Sequence, residues 1–337
     1  MDLSDITIVI ISRERGDVLL RTLEYWSTQN VSLVVIHNTE NPLNVERFSN
    51  QLTYKLIPGS YGERCAIVPE LIKTKYSILS ADDELYTPSG LYAMRSFLEE
   101  NENFTSVGGR TLAIGIYGQQ ITGTSVYSNM NDYMNSANSP LNRICNHYNP
   151  EFGNRIGGIY RLMRSENFKR IMHVFGKVSK VKTPYIYEVT GEVLINSMGN
   201  CIYLPQIYWI RNWINEPVQH SNWNRKLQFT YWLIGIEYLD EVSGWKQIVA
   251  NEIGLMPQEI ELVMQKILEI RSLAERSLPL RKSKIQQWIP TSIKAKLRSL
   301  FLSSTMPANF ESVLEKMRLD GARFDLNEVK EIIKFIS

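Results

Sequence analysis

The sequence predicts an α/β protein: a mostly parallel sheet flanked by helices over residues 1–222, then a helical domain over 223–337. Three observations predict it. Apolar, β-branched runs recur at Ile6 to Ile11, Leu33 to Ile36, Tyr54 to Ile57 and Tyr76 to Leu79. Helix-period segments separate these runs, and after about Trp223 the helical period takes over. Such an alternation implies right-handed crossovers, and sheets of this type bind ligands beyond the carboxyl ends of their strands.

The elements follow in order. Ile6 to Ile11 is continuous enough for a strand buried on both faces, and a helix over about Asp17 to Thr28 places Leu19, Leu20, Leu23 and Trp26 on one face. Gly62 to Lys73 reads as a second crossover helix, and Thr87-Pro88 as a helix start, with that helix running to about Glu100. This alternating first half spans about 1–110 and a second half about 111–222. Within the latter, 115–154 is rich in Asn, Ser, Gly and Tyr and reads as loops over a site or an irregular subdomain. In the helical domain Ile260, Met264, Ile267 and Ile270 share a face, and Asp325 with Glu328 has capping-box spacing before Val329, Ile332 and Ile333.

A chain of 337 residues with 44% hydrophobic composition can bury a large core. Its 37 basic residues balance 35 acidic ones, which gives no reason to expect a nucleic-acid partner. Cys65, Cys145 and Cys201 have no CxxC spacing, which suits a reducing cytosol. No basic leader precedes the first strand and no apolar run reaches the roughly 18 residues needed to span a bilayer, so a cytoplasmic protein is expected. The four histidines lack zinc-site spacing, and no G-x-S-x-G marks a hydrolase nucleophile. Nothing in the residues sets an oligomeric state.

Ser80-Ala81-Asp82-Asp83-Glu84 closes the fourth apolar run, and three adjacent carboxylates repel one another unless a cation or solvent intervenes. Magnesium or manganese carrying a phosphorylated ligand suits such oxygens. A solvated acidic turn before the Thr87-Pro88 helix is the alternative. Tyr208-Trp209-Ile210-Arg211-Asn212-Trp213 combines aromatic faces for sugar stacking with a guanidinium fork for a diphosphate, against core packing as the plain reading. In the glycine cluster 153–161, Arg155, Gly157 and Arg161 are candidate acceptor or diphosphate contacts, against a simple glycine turn. Arg281, Lys282, Lys284, Lys294, Lys296 and Arg298 form an acid-free stretch with Ile293, Leu297, Leu300 and Phe301 at helical spacing. Residues 281–301 therefore read as a peripheral contact with an anionic inner membrane, or as a solvated basic helix.

Several of these segments, in this order, resemble the GT-A glycosyltransferases, in particular the inverting family 2-like bacterial enzymes. Ile8 to Leu23 looks like their opening strand, loop and helix, with Ser12 at a Thr position and Arg15 at an Arg. Val34 to Thr39 resembles the second strand, Gly62-Glu63-Arg64 falls at an Ala-Arg-Asn signature, and 80–84 resembles the Asp-Ala-Asp-Asp metal motif. Three departures stand out: Ser80 replaces the first acid of that motif, His37 replaces an Asp that contacts the base, and Arg13 replaces an aromatic residue whose stacking its planar guanidinium can supply. The resemblance implies a metal-dependent transferase of bacterial surface polysaccharide synthesis. It would move a sugar from a nucleotide-sugar donor to a hydroxyl of a glycan or lipid-linked glycan. It assigns Mn2+ or Mg2+ to Asp82, Asp83 and Glu84, and donor contacts to Ser12, Arg13, Arg15, His37, Arg64 and Ala81. Counting back from Gly199 puts Glu188 at the family's base position, with Glu192 one helical turn later as the fallback. Trp209 and Arg211 take acceptor or diphosphate roles. A sugar nucleotidyltransferase and a non-catalytic glycan-binding protein of the same fold are the alternatives.

Overall fold

Ile8 and Ile10 of β1 (Ile6–Arg13) pack on one side of the sheet and Val9 on the other, all fully buried. In β2 (Ser32–Asn38), Leu33 and Val35 alternate in the same way with Val34 and Ile36. This is the double burial that a continuous apolar run requires. The computed structural model describes residues 1–48, 50–117, 120–152, 157–212, 229–276 and 308–336. Arg155, Trp213 and the basic stretch 281–301 lie outside them.

With β3 (Leu52–Leu56) and β4 (Tyr76–Ser80), the first two strands form a parallel core in the order β4-β1-β2-β3. Register sets Ser12 beside His37 and Ile10 beside Ser80, so the polar ends of three strands share one edge. The helix α1 (Gly16–Ser27) buries Leu19, Leu23 and Trp26. The single helix expected over 62–73 is instead two short ones, α2 (Tyr61–Ala66) and α3 (Val68–Leu71). Pro69 has no N–H to continue the preceding turn, so the chain starts a new helix there. After β5 (Glu84–Tyr86), the hydroxyl of Thr87 accepts the Gly90 N–H at 3.2 Å and caps α4 (Pro88–Glu100) as expected.

The region 115–154, expected as loops, holds regular structure. It contains the end of β6 (Phe104–Tyr117), then β7 (Gln120–Val126), β8 (Met134–Asn135) and α5 (Pro140–His147). β6 and β7 form an antiparallel pair from Thr111↔Val126 to Tyr117↔Gln120. Glycines and hydroxylated residues run consecutively in these strands, as at Thr122-Gly123-Thr124-Ser125, and such a composition reads as loop.

The chain continues through β9 (Leu162–Arg164), α6 (Ser165–Lys177), α7 (Ile186–Met198) and the long β10 (Asn200–Asn212). Next come α8 (Phe229–Ile234), α9 (Leu239–Ile253) and α10 (Pro257–Arg276), then β11 (Ala308–Asn309), α11 (Phe310–Leu319) and α12 (Leu326–Ile336). The eleven-stranded sheet runs β11-β7-β6-β9-β4-β1-β2-β3, with β10 pairing β5, β6 and β8 off that path. α8, α9 and α10 share an apolar core with α5 and α7, and Ile260, Met264, Ile267 and Ile270 are buried in it. Residues 308–336, grouped with the helical domain from sequence, pack on the sheet: β11 pairs with β7, and Phe335 lies 5.5 Å from Tyr25 of α1. Asp325 caps α12 through the Asn327 N–H, but Glu328 leaves the capping box open. Its carboxylate accepts the N–H and hydroxyl of Ser89 on α4 instead. Among the described residues no helix is long and apolar enough to cross a membrane.

Candidate functional site

Where the chain leaves β4, the three consecutive acids part company. Asp82 Oδ1 receives Arg15 Nη1 at 2.8 Å and its Oδ2 receives the Ser12 hydroxyl at 2.6 Å, while Asp83 Oδ2 receives Arg15 Nη2 at 2.6 Å. Glu84 opens β5 opposite Arg211 of β10 and points elsewhere. Its Oε1 takes Arg211 Nε at 2.7 Å and its Oε2 takes Trp209 Nε1 at 2.9 Å. All three acids are buried, and burial pushes the Asp82 and Glu84 carboxyls up against the opposing pull of Arg15 and Arg211. Glu84 is therefore not the metal ligand expected from sequence: both its oxygens are committed to β10.

Asp82 and Asp83 share a single guanidinium, which leaves that turn one positive charge short. Hard carboxylate oxygens with a charge deficit suit Mg2+ or Mn2+, which commonly bind one or two carboxylates together with substrate phosphates. Among the described residues no three His, Cys, Asp or Glu side chains gather into a preformed cage. The pair thus fits a cation that arrives with a phosphorylated ligand, with Ala81 half-buried at the start of the turn.

The remaining donor candidates converge on the end of β1. Arg64 of α2 donates to the carbonyl oxygens of Ser12 and Ser60, and burial beside Arg64 pulls the pKa of His37 down. His37 Nδ1 sits 2.8 Å from the Tyr54 hydroxyl. Arg13 is exposed and 3.7 Å from Glu14, a non-glycine residue at φ 54° whose N–H bonds the Asn38 carbonyl. That left-handed step costs about 1 kcal/mol and sits between the two arginines of the loop, as strained backbone at sites commonly does.

On the other side of the acidic turn, Arg211 donates to the Tyr127 hydroxyl and lies over the rings of Tyr127 and Trp209, at 5.5 and 4.9 Å. Tyr127 and Tyr160 each stack on Trp209, with centroids 5.6 and 4.5 Å apart. Trp209 is 2% exposed, so it is the interior of this stack and not the open sugar platform expected. Gly157 takes φ 93° against the Trp209 ring, where an added Cβ would lie 3.4 Å away. Tyr127 and Tyr160 escaped the sequence reading. The one signal at Tyr127 is its φ of 56°, which no sequence pattern carries.

The two base candidates on α7 differ sharply. Glu188, in its first turn, is partly exposed, and Arg271 of α10 bonds its Oε1. It lies near enough to the stack to help raise the pKa of Tyr127 and Tyr160, after the larger effect of their burial. Glu192 is 1% exposed, accepts the Gly158 N–H, and lies 3.2 Å from His147 Nε2 and 3.7 Å from Arg161 Nη2. Burial pushes it up to about 7 despite Arg161 and the Gly158 N–H. An enclosed carboxyl cannot meet an acceptor hydroxyl, so the fallback base role is corrected to a buried structural one. Arg161 is corrected likewise. It is fully buried, donates to the Tyr203 hydroxyl at 3.0 Å and faces Glu192. A Cβ at Gly158 would lie 2.3 Å from Glu192 Oε2. Gly158→Ala is therefore expected to cost about 2 kcal/mol of stability by overpacking, measured by denaturant unfolding.

The solved structure of S. aureus TarS 1-349 in complex with UDP-GlcNAc resembles this chain at 15% identity, covering 97% of this chain and 94% of that one with a TM-score of 0.50. The fold is GT-A. The GT-A sheet carries the helical C-terminal region described above, and at this identity the likeness is one of fold. A longer S. aureus TarS structure matches at 14% identity over 89% of this chain and 52% of that one, with a TM-score of 0.49. No protein-family model and no curated protein matches the chain. Ser12, Asp82 and Asp83 meet where β1 and β4 end, Arg64 of α2 bonds the Ser12 carbonyl, and Glu188 lies near enough to the stack to act on Tyr127 and Tyr160.

Proposed function

We propose that the chain is an inverting glycosyltransferase that moves a sugar from a nucleotide-sugar donor to a hydroxyl of a glycan. The observation that supports this reading is the charged groups gathered at the Tyr127–Trp209–Tyr160 stack: Glu84 of the acidic turn bonds Trp209 and Arg211, and Glu188 acts electrostatically on Tyr127 and Tyr160. The UDP-GlcNAc of the TarS structure supports a donor of the same class. Ser12, Arg13, His37 and Arg64 would line the nucleotide end, and the Arg211 guanidinium would face the sugar or its phosphates. Glu188 Oε1 is fixed by Arg271, which leaves the second oxygen to take the proton of the acceptor hydroxyl. As that proton moves, the acceptor oxygen bonds the anomeric carbon, and the carbon–oxygen bond to phosphate breaks with its electron pair leaving on the diphosphate. A divalent cation on Asp82 and Asp83 would supply neutralisation of that leaving charge.

An open cleft of about 630 Å3 begins two residues beyond Tyr127 and is lined by Asn129, Asn131, Asp132, Tyr133, Asn135 and Asn146, among others. Carboxamides and a carboxylate beside an aromatic ring suit the hydroxyls of a glycan acceptor. Incubation with nucleotide sugars and Mn2+ tests the reading. One donor should raise the unfolding temperature and be slowly hydrolysed, and Asp82→Asn should weaken Mn2+-dependent turnover by about 10- to 100-fold. Glycan binding without turnover of any donor would favour the binding-protein alternative.

A further inference from the structure

Arg15 occupies a position that a resident cation would contest. Its two terminal nitrogens bond two different carboxylates, Asp82 at 2.8 Å and Asp83 at 2.6 Å, yet its side chain keeps 22% exposure and is not sealed in. The two aspartates are 7% and 5% exposed. Ser12 holds the remaining Asp82 oxygen, Ser80 spends its hydroxyl on the Ala81 and Glu84 carbonyls, and Arg211 is engaged by Glu84, so Arg15 is the cation shown on Asp82 and Asp83. The Glu14 bend, anchored on the Asn38 carbonyl, sets the loop from which Arg15 reaches down.

We propose that Arg15 is an exchangeable counter-ion: it neutralises Asp82–Asp83 in the free protein, and a divalent cation displaces it toward the diphosphate of the incoming nucleotide. The inference rests on the glycosyltransferase reading for its ligand, but its core concerns the metal alone. A guanidinium and a divalent cation cannot share two buried carboxylates without strong repulsion. The released guanidinium, whose fork matches phosphate oxygens, then gains a new anionic partner. Metal and nucleoside diphosphate therefore bind cooperatively, and each alone binds weakly.

Titration with Mn2+ alone, followed by calorimetry or by the Mn2+ paramagnetic signal, tests this on the full chain. Arg15→Gln should bind Mn2+ at least about tenfold more tightly than the wild type, since no charge must first be displaced. Arg15→Lys, which keeps the charge, should bind Mn2+ as weakly as the wild type and serves if the glutamine variant fails to fold. Equal Mn2+ affinity in wild type and Arg15→Gln, or tight Mn2+ binding by wild type and Arg15→Lys alike, would overturn the proposal. A second arm titrates UDP, GDP, ADP, CDP and dTDP with and without Mn2+. In the wild type Mn2+ should strengthen one of them at least tenfold, and in Arg15→Gln that gain should shrink. If none binds while Arg15→Gln still tightens Mn2+, the counter-ion exchange stands and the nucleotide-sugar reading fails.

Discussion

Replacing Glu188 by glutamine is expected to lower the transfer rate by about 10²- to 10⁴-fold while leaving donor binding within about twofold. The substitution keeps the shape of the side chain and its contact with Arg271 while removing the only function asked of it, acceptance of a proton. Glu188 bonds Arg271 on α10, whereas the end where the donor diphosphate would sit is built from Ser12 and Asp82, so a binding defect is not expected. The discriminating measurement is a kcat against KM comparison with saturating donor, together with slow donor hydrolysis by water. A fall in kcat with unchanged donor KM supports the base role. Equal rates in both proteins would remove Glu188 from the chemistry. Arg271→Lys adds a check on positioning, because it retains the charge but loses the fork, and should lower kcat less than Glu188→Gln does.

The parts of this arrangement that sequence discloses are those fixed by local pattern. Apolar runs put β1, β2 and β4 where they lie, and with them the strand edge that carries Ser12, His37 and the acidic turn. The division within that turn was not legible. Asp82, Asp83 and Glu84 are chemically alike in sequence, and only the pairing of Glu84 with Arg211 on β10, 127 positions away, turns one of them aside. Glu188 was found by its distance from Gly199, whereas its partner Arg271 comes from another helix and leaves no mark near it in the chain. Arg161 and Trp209 looked like ligand contacts because residue type suggests chemistry but does not report burial, and the fold buries both. In the break at Pro69 a local breaker outweighs the helical period around it, and in the β6–β7 hairpin cross-strand pairing makes strand of a glycine- and hydroxyl-rich segment.

Glu192 should make the stability of this protein depend on pH in a direction opposite to that of most paired carboxylates. Its surroundings come from several elements. His147 on α5 lies 3.2 Å away, Arg161 just before β9 lies 3.7 Å away, Glu188 shares its helix, and Arg271 approaches from α10, with Tyr148 and Tyr203 close by. Burial outweighs the cations among these and holds the folded carboxyl at about 7, above its ordinary 4.5. Because the folded state binds this proton more tightly than the unfolded chain, the contribution is fully present below about pH 4.5 and is lost as pH rises through about 7. At about 1.4 kcal/mol per pKa unit, about 3 kcal/mol is at stake. The measurement is denaturant unfolding of wild type and Glu192→Gln between pH 5 and pH 8. The glutamine variant cannot titrate, so it should gain on the wild type by about 2 to 3 kcal/mol across that interval, whatever its absolute stability. Parallel curves for the two proteins would mean that Glu192 is ionised throughout. The buried cluster would then be an Arg161–Glu192 ion pair whose attraction outweighs the cost of desolvating both charges.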